Sequence, residues 1–416
     1  MTTNELAAVI GIDWADQSHS VCLKESGSES AEQAVIPHTP ESLAEWIAQL
    51  RQRFGERKVG ICMEQSRGAL FNALIHHEFL VLYPVNPRAL VNYRRTFATS
   101  HAKDDPTDAY LLMDLCLKHR EKLNPWHPED ETTRMIRILA EDRRTAVDER
   151  TRLTNRLTAV LKQYFPVALE LTGSSLTSLL SCEFLLRWPR LQDLKTEDPE
   201  AIAAFYRSHR SRQRLIEDRL QRIKAAVALT EDRAIIETSV MKVQLISKQL
   251  RELAVAISDY DRQLKRFYDA HPDGQLFASF PGAGAALQPR LLAAFGADRN
   301  RFADAQEVQK YSGIAPVTER SGKQLWVHIR WGCPTFLRQT FHEFAGQSIR
   351  FSPWAKQYYR RKREGGQKHH AAVRALAFKW IRIIYRCWQD KTSYEETRYE
   401  RQLQRRVTKL ITRVTA

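Results

Sequence analysis

Four carboxylates carry the chemistry that this sequence suggests. Two stand in the run Ser100, His101, Ala102, Lys103, Asp104, Asp105, Pro106, Thr107, Asp108, Ala109, where Asp105 and Asp108 are three residues apart. The residues that follow (Ala109, Leu111, Leu112, Leu115, Cys116) repeat with helical spacing, so both acids fall on one face of a helix's first turn. Hard oxygen donors held that way suit Mg2+, which takes one or two protein carboxylates and leaves its other positions to water and phosphate. The same residues also make a good helix start with no metal at all, with Asp105 as N-cap, Pro106 next and Asp108 at the third helical position. The other two acids, Asp13 and Glu64, each close an apolar run that reads as a strand. Open α/β sheets place their ligand chemistry at such strand ends. Together the four make a set able to hold two Mg2+ ions for in-line attack at phosphorus.

The elements that must position these acids follow from the patterning. Residues 7–13 read as a buried strand, His19–Leu23 alternates like its pairing partner, and 34–37 supplies a third. Thr39, Pro40, Glu41 and Ser42 open a helix whose apolar face is Leu43, Trp46, Ile47, Leu50 and Phe54. A strand over 58–63, a helix through Leu70, Leu74 and His77, and a strand over 80–85 complete the order. A meander of three strands followed by alternating helix and strand predicts an α/β domain with a mixed sheet, over residues 1–125.

Beyond it the composition changes. Residues 131–165 and 205–270 are rich in Arg, Glu, Leu and Ala and nearly free of Gly and Pro. Their Leu stripes predict long antiparallel or coiled-coil helices, interrupted between Pro166 and Pro199, in a 126–272 region that serves as a dimerisation arm. A third region, 273–390, opens on Phe280, Pro281, Gly282, Ala283, Gly284 and an apolar helix. This resembles the turn of helix-hairpin-helix modules, where Gly282 and Gly284 would let backbone N–H groups approach a phosphate. A turn is expected over Thr318–Lys323, a strand over Leu325–Arg330, and an aromatic helix through Phe336, Leu337, Phe341 and Phe344. Residues 356–374 interleave Arg360, Arg361, Lys362, Arg363 and Lys368 with Tyr358 and Tyr359, the mixture that pairs phosphates and stacks on bases. Residues 391–416 form a basic tail.

The whole-chain numbers agree with a polyanionic partner. The 416 residues, enough for roughly two to four domains, carry a formal net charge of +15. A surplus of that size favours nucleic acid first. Six scattered cysteines with no CxxC pair argue for reduced thiols and against a structural zinc site. No apolar run approaches the roughly 20 residues that span a bilayer, so a cytoplasmic protein with no membrane partner is expected.

The combination of Gly11, Ile12, Asp13; Cys62, Met63, Glu64; Asn86, Pro87; and Phe97, Ser100, Lys103, Asp105, Asp108, Ala109 resembles the DEDD transposases of insertion sequence family one hundred and ten. Phe280–Gly284, Tyr311–Pro316 and Arg320, Ser321, Gly322 are similar to that family's second domain. The resemblance covers roughly residues 7–125 and 275–390. It implies a RuvC-like, ribonuclease-H-fold first domain, with Asp13, Glu64, Asp105 and Asp108 as the catalytic, Mg2+-binding acids. It implies that Ser321 is the nucleophile and forms a phosphoserine link to DNA, and that the enzyme is a recombinase acting on donor and target DNA. A structured bridge RNA would guide it, and a homodimer or homotetramer would share one composite site. The chemistry is coherent, because a serine hydroxyl needs activation before it attacks. Lys103, Arg320 and Lys323 flank these motifs as nucleic-acid contacts. Where many members carry a Gly- and Lys-containing run after the serine, this chain has Leu325 to Pro334, in which His328 and Arg330 are the candidates for phosphate contacts.

Two other readings compete. A non-catalytic DNA- or RNA-binding protein would use the acids only as caps, and a RuvC-like junction nuclease would share the acids but not need Ser321. A sugar-kinase-like phosphotransferase wants glycine-rich phosphate loops that Asp13, Trp14, Ala15 and Asp16 do not supply.

Overall fold

A computed structural model describes residues 6–64, 67–97, 104–126, 129–322 and 324–401. The chain divides into two compact units, Met1–Pro128 and Glu129–Ala416.

The first unit is a mixed sheet with helices on both faces. Strands β1 (Ala8–Asp13), β2 (Ser18–Glu25) and β3 (Glu32–Pro37) form the antiparallel meander, α1 (Pro40–Phe54) crosses over, and β4 (Val59–Met63) returns parallel to β1. After α2 (Ala69–Leu74), β5 (Leu80–Pro84) adds parallel to β4, giving the order β3-β2-β1-β4-β5. The central strand β1 is buried on both faces, which is why its sequence is continuously apolar rather than alternating. Thr39 caps α1 by accepting from the Ser42 N–H at 3.2 Å, and Gly55, at φ 62°, ends it. Ile10 and Ile12 pack with Leu43, Ile47 and Leu50 of α1 and Leu70 and Leu74 of α2 on one side.

The opposite side holds α3 (Pro87–Phe97) and α4 (Asp105–His119). The motif reading did not anticipate α3: its polar face (Arg88, Asn92, Arg95, Thr96) interrupts any apolar pattern, and over 87–96 only Leu90 is fully buried. Helix α4 lies unusually close to the sheet because Gly11 has no side chain. A Cβ there would sit 2.0 Å from the Ala109 carbonyl oxygen and 2.3 Å from the Met113 nitrogen. Val9, Cys22, Cys62, Ala109, Leu112 and Cys116 fill the rest of that interface. All six cysteines are free, and Cys62 and Cys116 are both buried in this interface.

The second unit is almost wholly helical. Two long helices, α5 (Glu131–Tyr164) and α11 (Arg233–Ala270), run antiparallel, with Thr133 beside His271 and Arg143 bonded to Asp261. The interruption predicted between them is itself helical: α6 (Ala168–Leu171), α7 (Leu179–Arg187), α8 (Leu191–Thr196), α9 (Pro199–Ser208) and α10 (Gln213–Ala225). These pack on the far ends of α5 and α11 in a core built on Leu157, Leu161, Phe184, Tyr206 and Val243. A second core at the near ends takes Ile136, Ala140 and Leu264 together with α12 (Gly274–Ala278), α13 (Gly284–Phe295) and α14 (Ala305–Tyr311). The hairpin β6 (Val317–Ser321) and β7 (Gln324–His328) follows, then α15 (Thr335–Phe351), α16 (Pro353–Glu364) and α17 (His369–Gln389). Aromatics dominate this core, and its three buried indoles are satisfied: Trp354 donates to the Tyr394 hydroxyl, Trp380 to Ser348 Oγ and Trp388 to the Gly296 carbonyl, each at 2.8 Å. No helix among the described residues is long and apolar enough to cross a membrane.

Candidate active site

The sheet register sets the first two acids side by side. Ile12 pairs with Met63 across the parallel β1/β4 ladder, so Asp13 and Glu64, one residue further on, stand opposite each other at the strands' carboxyl ends. Neighbouring strands lie about 4.8 Å apart. Pleating puts Asp13 on the face of Gly11 and Glu64 on the face of Cys62, and that is the face α4 covers. Residues Cys116 and Leu117 of α4 line one cavity with Ala8 and Val9, while Ala109 meets Gly11. The helix therefore runs antiparallel to β1 and delivers its first turn, with Asp105 and Asp108, to the same end as Asp13.

That first turn differs from a simple capping motif. The N-cap is Asp104, Asp105 is the first helical residue, and Asp104 makes no side-chain cap bond to the backbone. Asp105 is exposed. Asp108 is only 2% exposed, and its carboxylate is held by the Arg94 guanidinium from α3. Arg94 is the site residue that motif reading missed. Pro87 at the start of a helix and an arginine two turns later were the only signals for it. Tyr93, beside it, donates to Asp114 of α4 at 2.8 Å and fastens α3 to α4; burial, then that carboxylate, pushes its hydroxyl up to about 12.

An all-oxygen donor set of this kind fits a hard divalent cation in its chemistry. Among the described residues, however, no three Asp, Glu, His or Cys side chains are gathered closely enough to share one ion. The deepest of the four carboxylates has an arginine on it instead.

The second unit carries the remaining candidates. Ser321 ends β6, exposed, and pairs with Gln324 across the hairpin turn. The stretch expected to be a plain turn is thus mostly strand. Thr318 to Ser321 are polar and exposed, so no alternation announced them. Arg320 is exposed on the same strand. His328 lies 3.4 Å from Glu319 on the hairpin, and the buried Nε of Arg330 has no hydrogen-bond partner among the described residues. Lys103 and Lys323 lie outside the described residues. Gly282 has a φ of 81°, but the space a Cβ would need is occupied at 2.9–3.1 Å by Phe351 and Gln347 of α15. Its glycine is thus required by helix packing, while Gly284, also at positive φ, faces open space. Arg360, Arg361, Arg363 and Lys368 are exposed and Lys362 is half-buried over the Tyr358 ring at 5.7 Å. None of these five is ion-paired among the described residues, which leaves a cationic face on α16 and the start of α17.

Comparison with known proteins gives the class of this arrangement. The model for the DEDD transposases of the IS110 type, described as "Transposase", matches residues 10–166, which include all four acids. The "Transposase IS116/IS110/IS902 family" model matches residues 274–360, which include Ser321. The chain is 28% identical to the "Mini-circle putative transposase for IS117" of Streptomyces coelicolor, over 96% of this chain and 98% of that protein. It is 26% identical to the "Insertion element IS900 uncharacterized 42 kDa protein" of Mycobacterium paratuberculosis, over 74% and 77% of the two chains. A third relative, the "Insertion element IS110 uncharacterized 43.6 kDa protein" of S. coelicolor, is 25% identical over 71% and 72%. A DEDD transposase domain is thus followed by a second transposase domain. The chain carries an IS110-type DEDD transposase domain over residues 10–166 and an IS116/IS110/IS902-family transposase domain over residues 274–360.

Proposed function

We propose that this protein is a Mg2+-dependent DNA transposase that exchanges strands through a serine–DNA intermediate, guided by an RNA transcribed from its element's ends. The observation that carries the reading is the β1/β4 register. Its last pair is Ile12 with Met63, so Asp13 and Glu64 follow on neighbouring strand ends, at the end of the sheet to which α4 brings its first turn. A mixed sheet of this order with acids at those ends supports a RuvC-like first domain.

The four acids would be the ligands of the divalent ions, whose role is to stabilise charge developing on the phosphoryl oxygens. The exposed Ser321 hydroxyl attacks phosphorus. A P–Oγ bond forms, the P–O bond to one deoxyribose breaks, and the Oγ proton ends on the departing sugar hydroxyl. The cationic face of α16 and α17 holds phosphates of DNA or RNA, consistent with the +15 net charge. On α11, Met241, Leu245 and Val255 stay exposed away from α5. That apolar remainder supports self-association through the arm, into the dimer or tetramer that a composite site requires.

The test is to incubate protein, Mg2+, co-purified RNA, and donor and target DNA, then look for a denaturant-resistant protein–DNA adduct. Adduct formation must require Asp13, Glu64 and Ser321. Retained adduct in Ser321→Ala rejects the nucleophile. Binding without any adduct in the parent protein returns the chain to the class of nucleic-acid-binding proteins.

A further inference from the structure

Asp108 is nearly dry, and an ionised carboxylate in that position must have a partner. Its partner is not a backbone N–H or a cap but a guanidinium reaching across from the last turn of α3. The pair is incompletely built. Arg94 binds through Nη2 to a single carboxylate oxygen, Oδ1, and its buried Nε–H has no hydrogen-bond partner among the described residues. That contact engages one guanidinium nitrogen and one carboxylate oxygen rather than the two-on-two fork of the strongest Arg–carboxylate pairs. The same carboxylate is one of four oxygen donors that the fold delivers to one end of the sheet, yet no three of the described ligand-type side chains are gathered to share an ion.

We propose that Arg94 is a positioning residue that occupies the cation's place on Asp108 while the chain is free of metal, so that an ion enters only when this arginine lets go. The inference rests on reading the four acids as metal ligands. The geometry suits an exchange of cations. Arg94 sits on a long, unbranched side chain one residue after Tyr93, whose hydrogen bond to Asp114 keeps α3 fastened to α4 while the guanidinium leaves. The stranded Nε–H gives the departing group an unused donor for a phosphate oxygen, so nucleic acid entering the site would favour release. Metal binding in the absence of nucleic acid is therefore weakened by the fraction of chains in which Arg94 still holds Asp108.

The experiment is a Mn2+ titration of the full-length protein, free of nucleic acid, read by the decline of the free-ion paramagnetic resonance signal, with thermal unfolding measured in parallel. Arg94→Gln removes the competing charge and is expected to bind Mn2+ about tenfold more tightly than the parent, with a larger metal-induced rise in Tm. Arg94→Lys keeps the charge and is expected to stay near the parent affinity, whereas a merely structural arginine would make both variants behave alike. Unchanged or weaker Mn2+ binding in a folded Arg94→Gln overturns the proposal. If binding in the parent is nonetheless abolished in Asp13→Asn, the metal reading of the acids survives that result. If neither protein binds Mn2+ at all, both fall together.

Discussion

The closeness of α4 to β1 gives the sharpest available test of how the acids are brought together. Gly11→Ala adds one methyl group where the helix meets the strand. Its Cβ would stand 2.0 Å from the Ala109 carbonyl oxygen and 2.3 Å from the Met113 nitrogen, both backbone atoms that cannot rotate away. Ordinary van der Waals separation begins at 3.4 Å, so the helix must retreat by about 1.4 Å, the difference between 3.4 and 2.0 Å. Overpacking of this kind costs about 1–3 kcal/mol, and a rigid backbone partner puts Gly11→Ala at the upper end. The first unit should melt about 10 °C lower. Because Asp108 immediately precedes Ala109, the same retreat displaces the acids of α4 from Asp13 and Glu64, and a misplacement of about 1 Å costs on the order of a hundredfold in rate. Gly60→Ala is the control. Its Cβ meets the Leu6 Cδ1 at 2.6 Å, a side-chain end that can turn aside. Differential scanning calorimetry and an adduct-formation time course read both effects. A Gly11→Ala protein with parental Tm and rate, or one no worse than Gly60→Ala, would refute the close packing that delivers the acids.

Three other outcomes are expected. Ser321→Ala should abolish adduct formation while shifting stability by less than about 0.5 kcal/mol, because the hydroxyl is exposed; a large drop in Tm would give Ser321 a structural role. Log affinity for duplex DNA should fall linearly with log salt, and replacing Arg360, Arg361 and Arg363 by Gln should lessen the slope by about 0.9 for each phosphate no longer neutralised; an unchanged slope places the DNA on another surface. His271 is held neutral, its pKa lowered from 6.5 chiefly by burial, and its Nδ1 accepts from the Asp273 N–H at 3.1 Å. A depressed pKa favours the folded state above pH 6.5 and withdraws that support as the pH falls towards the folded-state value. The second unit should thus melt progressively lower between pH 6.5 and more acidic solution, and His271→Gln should flatten that slope.

Much of the first unit was legible because its signals are local. Apolar runs ending in an acid gave β1 and β4, and the Thr39–Ser42 start gave α1. What was not legible depends on partners distant in the chain. Asp105 and Asp108 fit a cap by spacing alone, and only the fold shows that Asp104 takes the cap position while Asp108 is buried against Arg94. Helix α3 was hidden because it buries few apolar side chains, and β6 because both its faces are exposed. Gly282 looked like a phosphate-binding turn, since nothing in its own neighbours announces that α15 approaches it.

The long pair α5/α11 threads through two separate aromatic and aliphatic cores, one gripping Ile136, Ala140 and Leu264, the other Leu157, Leu161 and Val243. Helices of 34 and 38 residues behave as stiff rods, each of the order of 50 Å long. Neither core can rotate independently of the rods it clasps. A tilt of about 5° imposed at the end nearest the serine hairpin would swing the opposite end by about 4 Å over such a length. The middle of the chain is thereby one stiff span that fixes the spacing of the two cores.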